Sequence, residues 1–308
     1  MSTDGVLAED GTLTGSLYVR GFGDPSFGTP GLRRLGNQLI QAGVDRVTGR
    51  IYGDESYFDS RRGLPSNRFR VSTDLGPLSA LSLNEGLLGY GVGFQSDPAR
   101  FVAQRLRAYL RSRGVRIRRT ASVRETPPSA LALATARSPR TGHLIRHMNQ
   151  ISDNYFAETF LKGLGARFGA GGSTVAGTTV VTRFLATLGV NARVLDGSGL
   201  SRGDAVAPAE VGHLLVEAKN EPWFDPFYRS LSVAGRNGTL KKRMRHTAAA
   251  GRCRAKTGTL NGVSALAGYC RARQAHTIAF ALMMNGVSVW RARRSQDRIA
   301  AALARYGG

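Results

Sequence analysis

The dipeptide Asn261-Gly262 places the strongest local constraint on how this chain folds. Between two alternating apolar runs, Asn-Gly signals a two-residue hairpin of the type I′ class, because both residues tolerate positive φ. The flanking runs, 252–256 and 263–269, read as strands, and 277–284 reads as a third. Cys253 and Cys270 stand equidistant from the turn, so an ideal register sets them opposite each other across the hairpin. A cross-strand disulfide is then geometrically allowed and would imply an oxidising compartment. Two unpaired thiols fit the same residues, and the sequence leaves both readings open.

A chain of 308 residues with 42% hydrophobic content has room for one large or two modest domains with true cores. Its longest apolar runs fall well short of the roughly 18 residues a membrane span requires. The first residues lack a basic segment followed by an apolar one, so no signal peptide is read in them. The expectation is a cytosolic protein or a chain lacking its true beginning. The formal net charge is +22, and only five of the 43 basic residues are lysine. Such a charge steers a protein toward polyanions such as nucleic acid, anionic lipid or an anionic cell wall. Base-composition bias toward Arg codons is the better account, since the basic residues are scattered apart from the runs 111–119 and 291–294. No specific nucleic-acid partner is expected.

Residues 11–60 read as short strands broken by Gly and Asp, with a helix-like stretch over 31–42. Asp97 offers an N-cap with Pro98 at the first helical position. The helix that follows carries Phe101, Val102, Leu106, Tyr109 and Leu110 on one face and stops at Gly114. After the break at Thr126-Pro-Pro-Ser a second composition begins near Ser138, which divides the chain into 1–137 and 138–308. Helices are expected near 144–148 and 156–164. Others follow the Gly-rich stretch 163–172, start at Pro208, and cover 291–306. With the three C-terminal strands, the pattern suggests helices packed on one face of an antiparallel sheet, an α+β class.

Two short strings carry the chemistry, Ser152-Asp153-Asn154 and Lys256-Thr257-Gly258. Ser-x-Asn alone is common by chance, whereas Lys-Thr-Gly has an expectation of roughly one in twenty at this composition. It also closes a strand just before the hairpin turn. There a Lys ammonium can meet a carboxylate while a ligand backbone lies along the strand edge. The following Gly removes a side chain where that ligand approaches. The two strings are two thirds of a serine acyl-transfer site whose third part, Ser-x-x-Lys, holds the nucleophile. Three positions before Lys162, Lys219, Lys241, Lys242 and Lys256 stand Thr159, Val216, Gly238, Thr239 and Cys253, so these 308 residues contain no Ser-x-x-Lys.

Six blocks in order add to the motifs: Gly15-Ser-Leu-Tyr-Val-Arg-Gly-Phe-Gly-Asp-Pro, Leu78-Ser-Ala-Leu-Ser-Leu-Asn-Glu, Met148-Asn-Gln-Ile-Ser-Asp-Asn-Tyr-Phe-Ala-Glu, Leu195-Asp-Gly-Ser-Gly-Leu-Ser-Arg, Ala234-Gly-Arg-Asn-Gly-Thr-Leu and Ala255-Lys-Thr-Gly-Thr-Leu-Asn-Gly-Val. With them the whole chain resembles the low-molecular-weight penicillin-binding D-alanyl-D-alanine carboxypeptidases/endopeptidases with inserts in the catalytic domain. The resemblance implies a penicillin-binding/β-lactamase-like fold, with an antiparallel sheet flanked by helices and an inserted, partly deleted accessory domain. Residues 1–137 would be the accessory region and 138–308 the C-terminal part of the catalytic domain. It implies cleavage of the terminal D-Ala of peptidoglycan stem peptides through an acyl-enzyme, acylation by β-lactams, no cofactor or metal, and an extracytoplasmic location. By motif, Ser152 would relay a proton and Asn154 would hydrogen-bond the substrate amide. Lys256 would bind the substrate carboxylate with Thr257 and Thr259 beside Gly258, and the N–H of Thr259 would donate to the oxyanion. The stretch between Asn84 and Asp97 is shorter than in the family, and the nucleophilic motif would lie before Gly15. The expectation is therefore a truncated or mis-started, inactive chain; the alternative is a non-catalytic peptidoglycan- or partner-binding remnant.

Other signals carry less. His143 and His147 have i,i+4 spacing without a third metal ligand. Gly21-Phe-Gly and 163–177 lack the Gly-Lys-Ser/Thr of a phosphate loop, and loop glycines account for them. Asp196-Gly-Ser-Gly reads as a tight turn rather than a nucleophile at Ser198, and Glu158 as a packing or helix-terminal charge rather than a base.

Overall fold

The computed structural model describes residues 1–89, 93–273 and 276–307. The chain divides into two compact units, Met1–Pro139 with Glu158–Val180, and Arg140–Ala157 with Val181–Gly308.

Among the described residues the first unit carries nine short strands: β1 (Ser2–Thr3), β2 (Val6–Leu7), β3 (Thr12–Thr14), β4 (Leu17–Arg20), β5 (Arg46–Val47), β6 (Ile51–Asp54), β7 (Arg116–Ile117), β8 (Ser122–Val123) and β9 (Leu131–Ala132). They form two sheets, ordered β8-β6-β4-β1-β9 and β2-β3-β5-β7. The β4–β6–β8 and β3–β5–β7 pairings are parallel, while β1, β9 and β2 join antiparallel. Parallel neighbours need crossover connections, and helices α1 (Thr29–Gln41) and α2 (Pro98–Ser112) lie in them. Asp97 caps α2 as expected, accepting from the N–H of Arg100 at 2.9 Å. The helices bury Leu32, Leu35 and Leu39, and Val102, Leu106 and Leu110, against strand residues such as Leu13, Leu17 and Ile51. The short strands expected over 11–60 include β5 and β6, which join different sheets.

The remaining helices are α3 (Thr141–Ile151), α4 (Asn154–Phe168), α5 (Thr174–Thr187), α6 (Pro208–Glu217), α7 (Phe224–Ser230) and α8 (Val289–Leu303). Loop glycines explain only part of 163–177, namely Gly169, Gly171 and Gly172 between the two helices. Gly163 and Gly165 lie inside α4 and Gly177 inside α5, where a Cβ would meet the carbonyl oxygen of Leu161 at 2.1 Å. Close helix packing selects glycine at 165 and 177, and composition cannot separate that from a loop.

The second unit holds a ribbon of β10 (Ala192–Arg193) and β11 (Ala205–Val206), and a four-stranded sheet of β12 (Ser232–Val233), β13 (Cys253–Leu260), β14 (Val263–Arg271) and β15 (Thr277–Asn285). All neighbours in that sheet are antiparallel. Its helices cover both faces rather than the single face expected. On one, Cys253, Ala255, Leu266, Cys270 and Phe280 pack with Ala300 of α8 and Ala304 just beyond it. On the other, Tyr269, Ala267 and Ala279 pack with Leu215 of α6 and with Phe224 and Tyr228 of α7. α7, at seven residues, is too short to show a helical period, and no local pattern says that the expected helix from Pro208, α6, packs on this face.

Cys253 and Cys270 are register partners and form a disulfide. The turn itself differs from the type I′ expectation. Gly262 has φ of +73°, but Asn261 is not in the positive-φ region, which is the sign pattern of a type II turn with glycine third. No described helix is long and apolar enough to cross a membrane. The whole is an α+β fold.

Candidate active site

Ser152 ends α3 in the left-handed conformation, φ +60° and ψ +53°. Asp153 then caps the next helix, its Oδ1 accepting from the N–H of Phe156 at 3.0 Å, so that Asn154 opens α4. The tripeptide is thus a helix-to-helix corner in which the middle residue is structural and the outer two face a cleft. His147 belongs to the same corner, with Nε2 3.4 Å from Asp153 Oδ2 and its ring on Phe156. It packs; among the described residues no group of three His, Cys, Asp or Glu is placed to hold a metal.

The cleft occupies about 710 Å³ and is lined by Ser152, Asn154 and the run from Lys256 to Leu260, with α8 along one wall. Lys256 reaches across it and donates to Ser152 Oγ at 2.6 Å and to the carbonyl oxygen of Thr257 at 2.7 Å. Burial pushes its ammonium down to about 8. A serine hydroxyl bonded to a lysine that titrates near neutral pH is a pair able to pass a proton.

Strand register orients the rest. The N–H of Arg271 bonds the carbonyl oxygen of Arg252, so even-numbered residues of β13 exchange backbone bonds with β14. Thr257 and Thr259 therefore turn their N–H and C=O toward the opposite edge. There β12 pairs only with Arg254 and Ala255, so no described strand covers them. An open edge beside a cleft accepts an extended ligand backbone. A Cβ on Gly258 would meet only the Cβ of Ala265, at 3.3 Å. Protein packing hardly demands glycine here; an unobstructed cleft does.

All of the expected residues, Ser152, Asn154, Lys256, Thr257, Gly258 and Thr259, line this one cleft. Several residues given no role by sequence reasoning join them. Thr239 accepts from the Thr257 hydroxyl at 2.9 Å and lies 3.4 Å from the Ser232 hydroxyl, bracing the strand from behind. Arg293 donates to the Thr259 hydroxyl at 3.1 Å. Arg243 is bonded to Asp297 at 2.7 Å, while Lys242 and Arg294 also border the space and keep it net positive. Trp290, largely exposed, lies against Arg294 at its mouth. The signal for Thr239 was its place in the Ala234–Leu240 block; nothing in the sequence singled out the α8 residues beyond their charge.

Ser198 also borders the cleft. Its loop is a turn, as expected: buried Asp196 accepts from the N–H groups of Gly199 and Ser201, both at 2.7 Å. Burial, together with the neighbouring Asp196 carboxyl, pushes Asp204 up to about 6 against the N–H of Leu195. Glu158 does not line the cleft; it is fully buried in the first unit, where its charge acts on Lys162. Lys162 in turn donates to Asp59 at 2.5 Å and to the carbonyl oxygen of Arg61.

Comparison with known proteins bears on the family and the fold. The sequence profile of the D-Ala-D-Ala carboxypeptidase 3 (S13) family matches residues 1–92 and 88–306. The two segments meet within the stretch between Asn84 and Asp97 that was expected to be short. The D-alanyl-D-alanine carboxypeptidase of Actinomadura sp. is 28% identical over 375 positions, covering 95% of this chain and 70% of that enzyme. That alignment is longer than the chain, so the relative holds segments this chain lacks. Carboxypeptidase DacB of Mycolicibacterium smegmatis is 33% identical over 178 residues, 53% of this chain and 37% of that protein. Penicillin binding protein 4 of Haemophilus influenzae shares the fold, with a TM-score of 0.83 at 21% identity over 99% of this chain and 85% of that one. With the profile covering nearly every residue, this chain belongs to the D-Ala-D-Ala carboxypeptidase 3 (S13) peptidase family.

Proposed function

We propose that the cleft recognises the D-Ala-D-Ala end of peptidoglycan stem peptides and β-lactams that mimic it, within a serine-type carboxypeptidase or endopeptidase. The observation that carries this reading is the 2.6 Å bond from Lys256 to Ser152 beside an uncovered strand edge. Ser152 relays a proton between the leaving nitrogen and the Lys256 ammonium. Asn154 orients the scissile amide. Lys256, Thr257 and Thr259 hold the terminal carboxylate while Gly258 leaves room for it, and the N–H of Thr259 faces the oxyanion. Residues 138–308 supply this catalytic-domain part, and 1–137 form the accessory region. The disulfide supports work on the extracytoplasmic side.

Acylation needs a nucleophile, and no Ser-x-x-Lys stands among these 308 residues. The polypeptide of this sequence is expected to bind but not to turn over, because triad-like groups act as a unit. Calorimetry with a D-Ala-D-Ala-terminated peptide, alongside gel labelling by a fluorescent penicillin, tests both halves. The expected result is binding, weakened at least about tenfold by Lys256→Gln, with no covalent label. Absence of binding, or binding indifferent to the substitution, overturns the site assignment. A covalent label overturns the inactivity.

A further inference from the structure

The arginine run 111–119, unexplained by the cleft, folds into a second concavity of about 550 Å³ in the first unit. Arg46, Arg107, Arg111, Arg116 and Arg118 line it, and no carboxylate does. The end of α2, β5 and the edge strand β7 build it. Its shape is held from within: Arg107 donates to the carbonyl oxygens of Arg119 at 2.8 Å and Ile117 at 3.1 Å. The other four arginines are exposed.

Arg46 and Arg116 are register partners on adjacent parallel strands. Like charges set directly opposite across a sheet oppose folding. Asp10 feels both guanidinium groups, but it is exposed and its carboxylate already accepts from the N–H and hydroxyl of Thr12. Four exposed arginines around one rigid hollow therefore keep a surplus of positive charge that an anion would relieve.

The lining also narrows the ligand. It contains no aromatic side chain, so bases have no stacking platform. Its apolar members, Val47, Val115 and Ile117, are buried, so nothing is offered to the interior of a bilayer. Guanidinium forks suit phosphate oxygens. We propose that this hollow binds a ligand bearing several phosphates and no bases, held by Arg46, Arg111, Arg116 and Arg118.

The test uses the full chain and fluorescently tagged short-chain inorganic polyphosphate, followed by anisotropy over a salt series. The variant is Arg46→Gln/Arg116→Gln; Arg33→Gln/Arg137→Gln removes the same charge from exposed positions elsewhere in the unit. Circular dichroism and melting temperature verify that both fold. The expected result is binding at physiological salt that weakens about tenfold in the hollow variant, with a salt slope lower by about one for each phosphate no longer neutralised. The control stays within about twofold, as its charges touch no phosphate. Equal weakening in both variants would overturn the proposal in favour of diffuse charge. So would absence of binding, or preference for duplex DNA or phosphatidylglycerol vesicles over polyphosphate.

Discussion

Lys256 combines two opposed demands. In the proposed function its ammonium must stay charged to hold a carboxylate, yet burial destabilises that charge and brings its titration to about 8. The sign follows from linkage. Below about 8 the folded chain carries the buried charge at a cost, and between about 8 and the unfolded value near 10.5 the unfolded chain binds more protons, so stability rises with pH across that window. Ligand affinity runs the other way. Binding of a D-Ala-D-Ala peptide is expected to fall as pH rises above about 8, by up to about tenfold per unit. Lys256→Gln should flatten that profile, and titration calorimetry at pH 7, 8 and 9 reads it. Ser152 shows a similar tension, since a non-glycine residue at φ +60° costs about 1 kcal/mol or more. Sequence reasoning found both residues because their types are chemically distinctive. It did not foresee that Asp153 serves as an N-cap, because a capping carboxylate and a reactive one look alike in a string.

Among elements, the β13–β14 hairpin links the site to the core. It carries Lys256 and Thr257 toward the cleft, and its disulfide lies on the face packed against α8. Closing a loop of 17 residues restricts the unfolded chain by about 3 kcal/mol. Cys253→Ser/Cys270→Ser is expected to lower stability by about 2–4 kcal/mol in urea unfolding. An unchanged midpoint would assign the hairpin's stability to packing alone. The hairpin was legible because its signals are local: an Asn-Gly pair, alternating apolar residues, equidistant cysteines. The turn type was not, since only the joined strands decide which φ each turn residue takes. Gly165 of α4 and Gly177 of α5 were missed for a related reason, as a crossing helix twelve or more residues away selects them.

For the molecule as a whole, +22 on 308 residues is a self-repulsion that opposes the compact state. Raising ionic strength from about 0.01 M to about 0.15 M shortens the Debye length from about 30 to about 8 Å. The melting temperature is therefore expected to rise over that range, and a flat or falling profile in scanning calorimetry would show the charges to be already compensated. Local pattern was enough to read the α+β class, the membership suggested by ordered blocks, and the residues that form the motifs, since each rests on short-range propensity or distinctive side-chain chemistry. Packing over long separations added what no local pattern contains. It covered the second sheet face with helices, left the outer edge of β13 at Thr257 and Thr259 uncovered by any described strand, and drew Lys256 onto Ser152 across 104 positions. It also gathered α8 arginines at the cleft and folded a scattered arginine run into a hollow. Such contacts arise between residues far apart in the chain, and their energies depend on burial and register that exist only once the strands and helices have met.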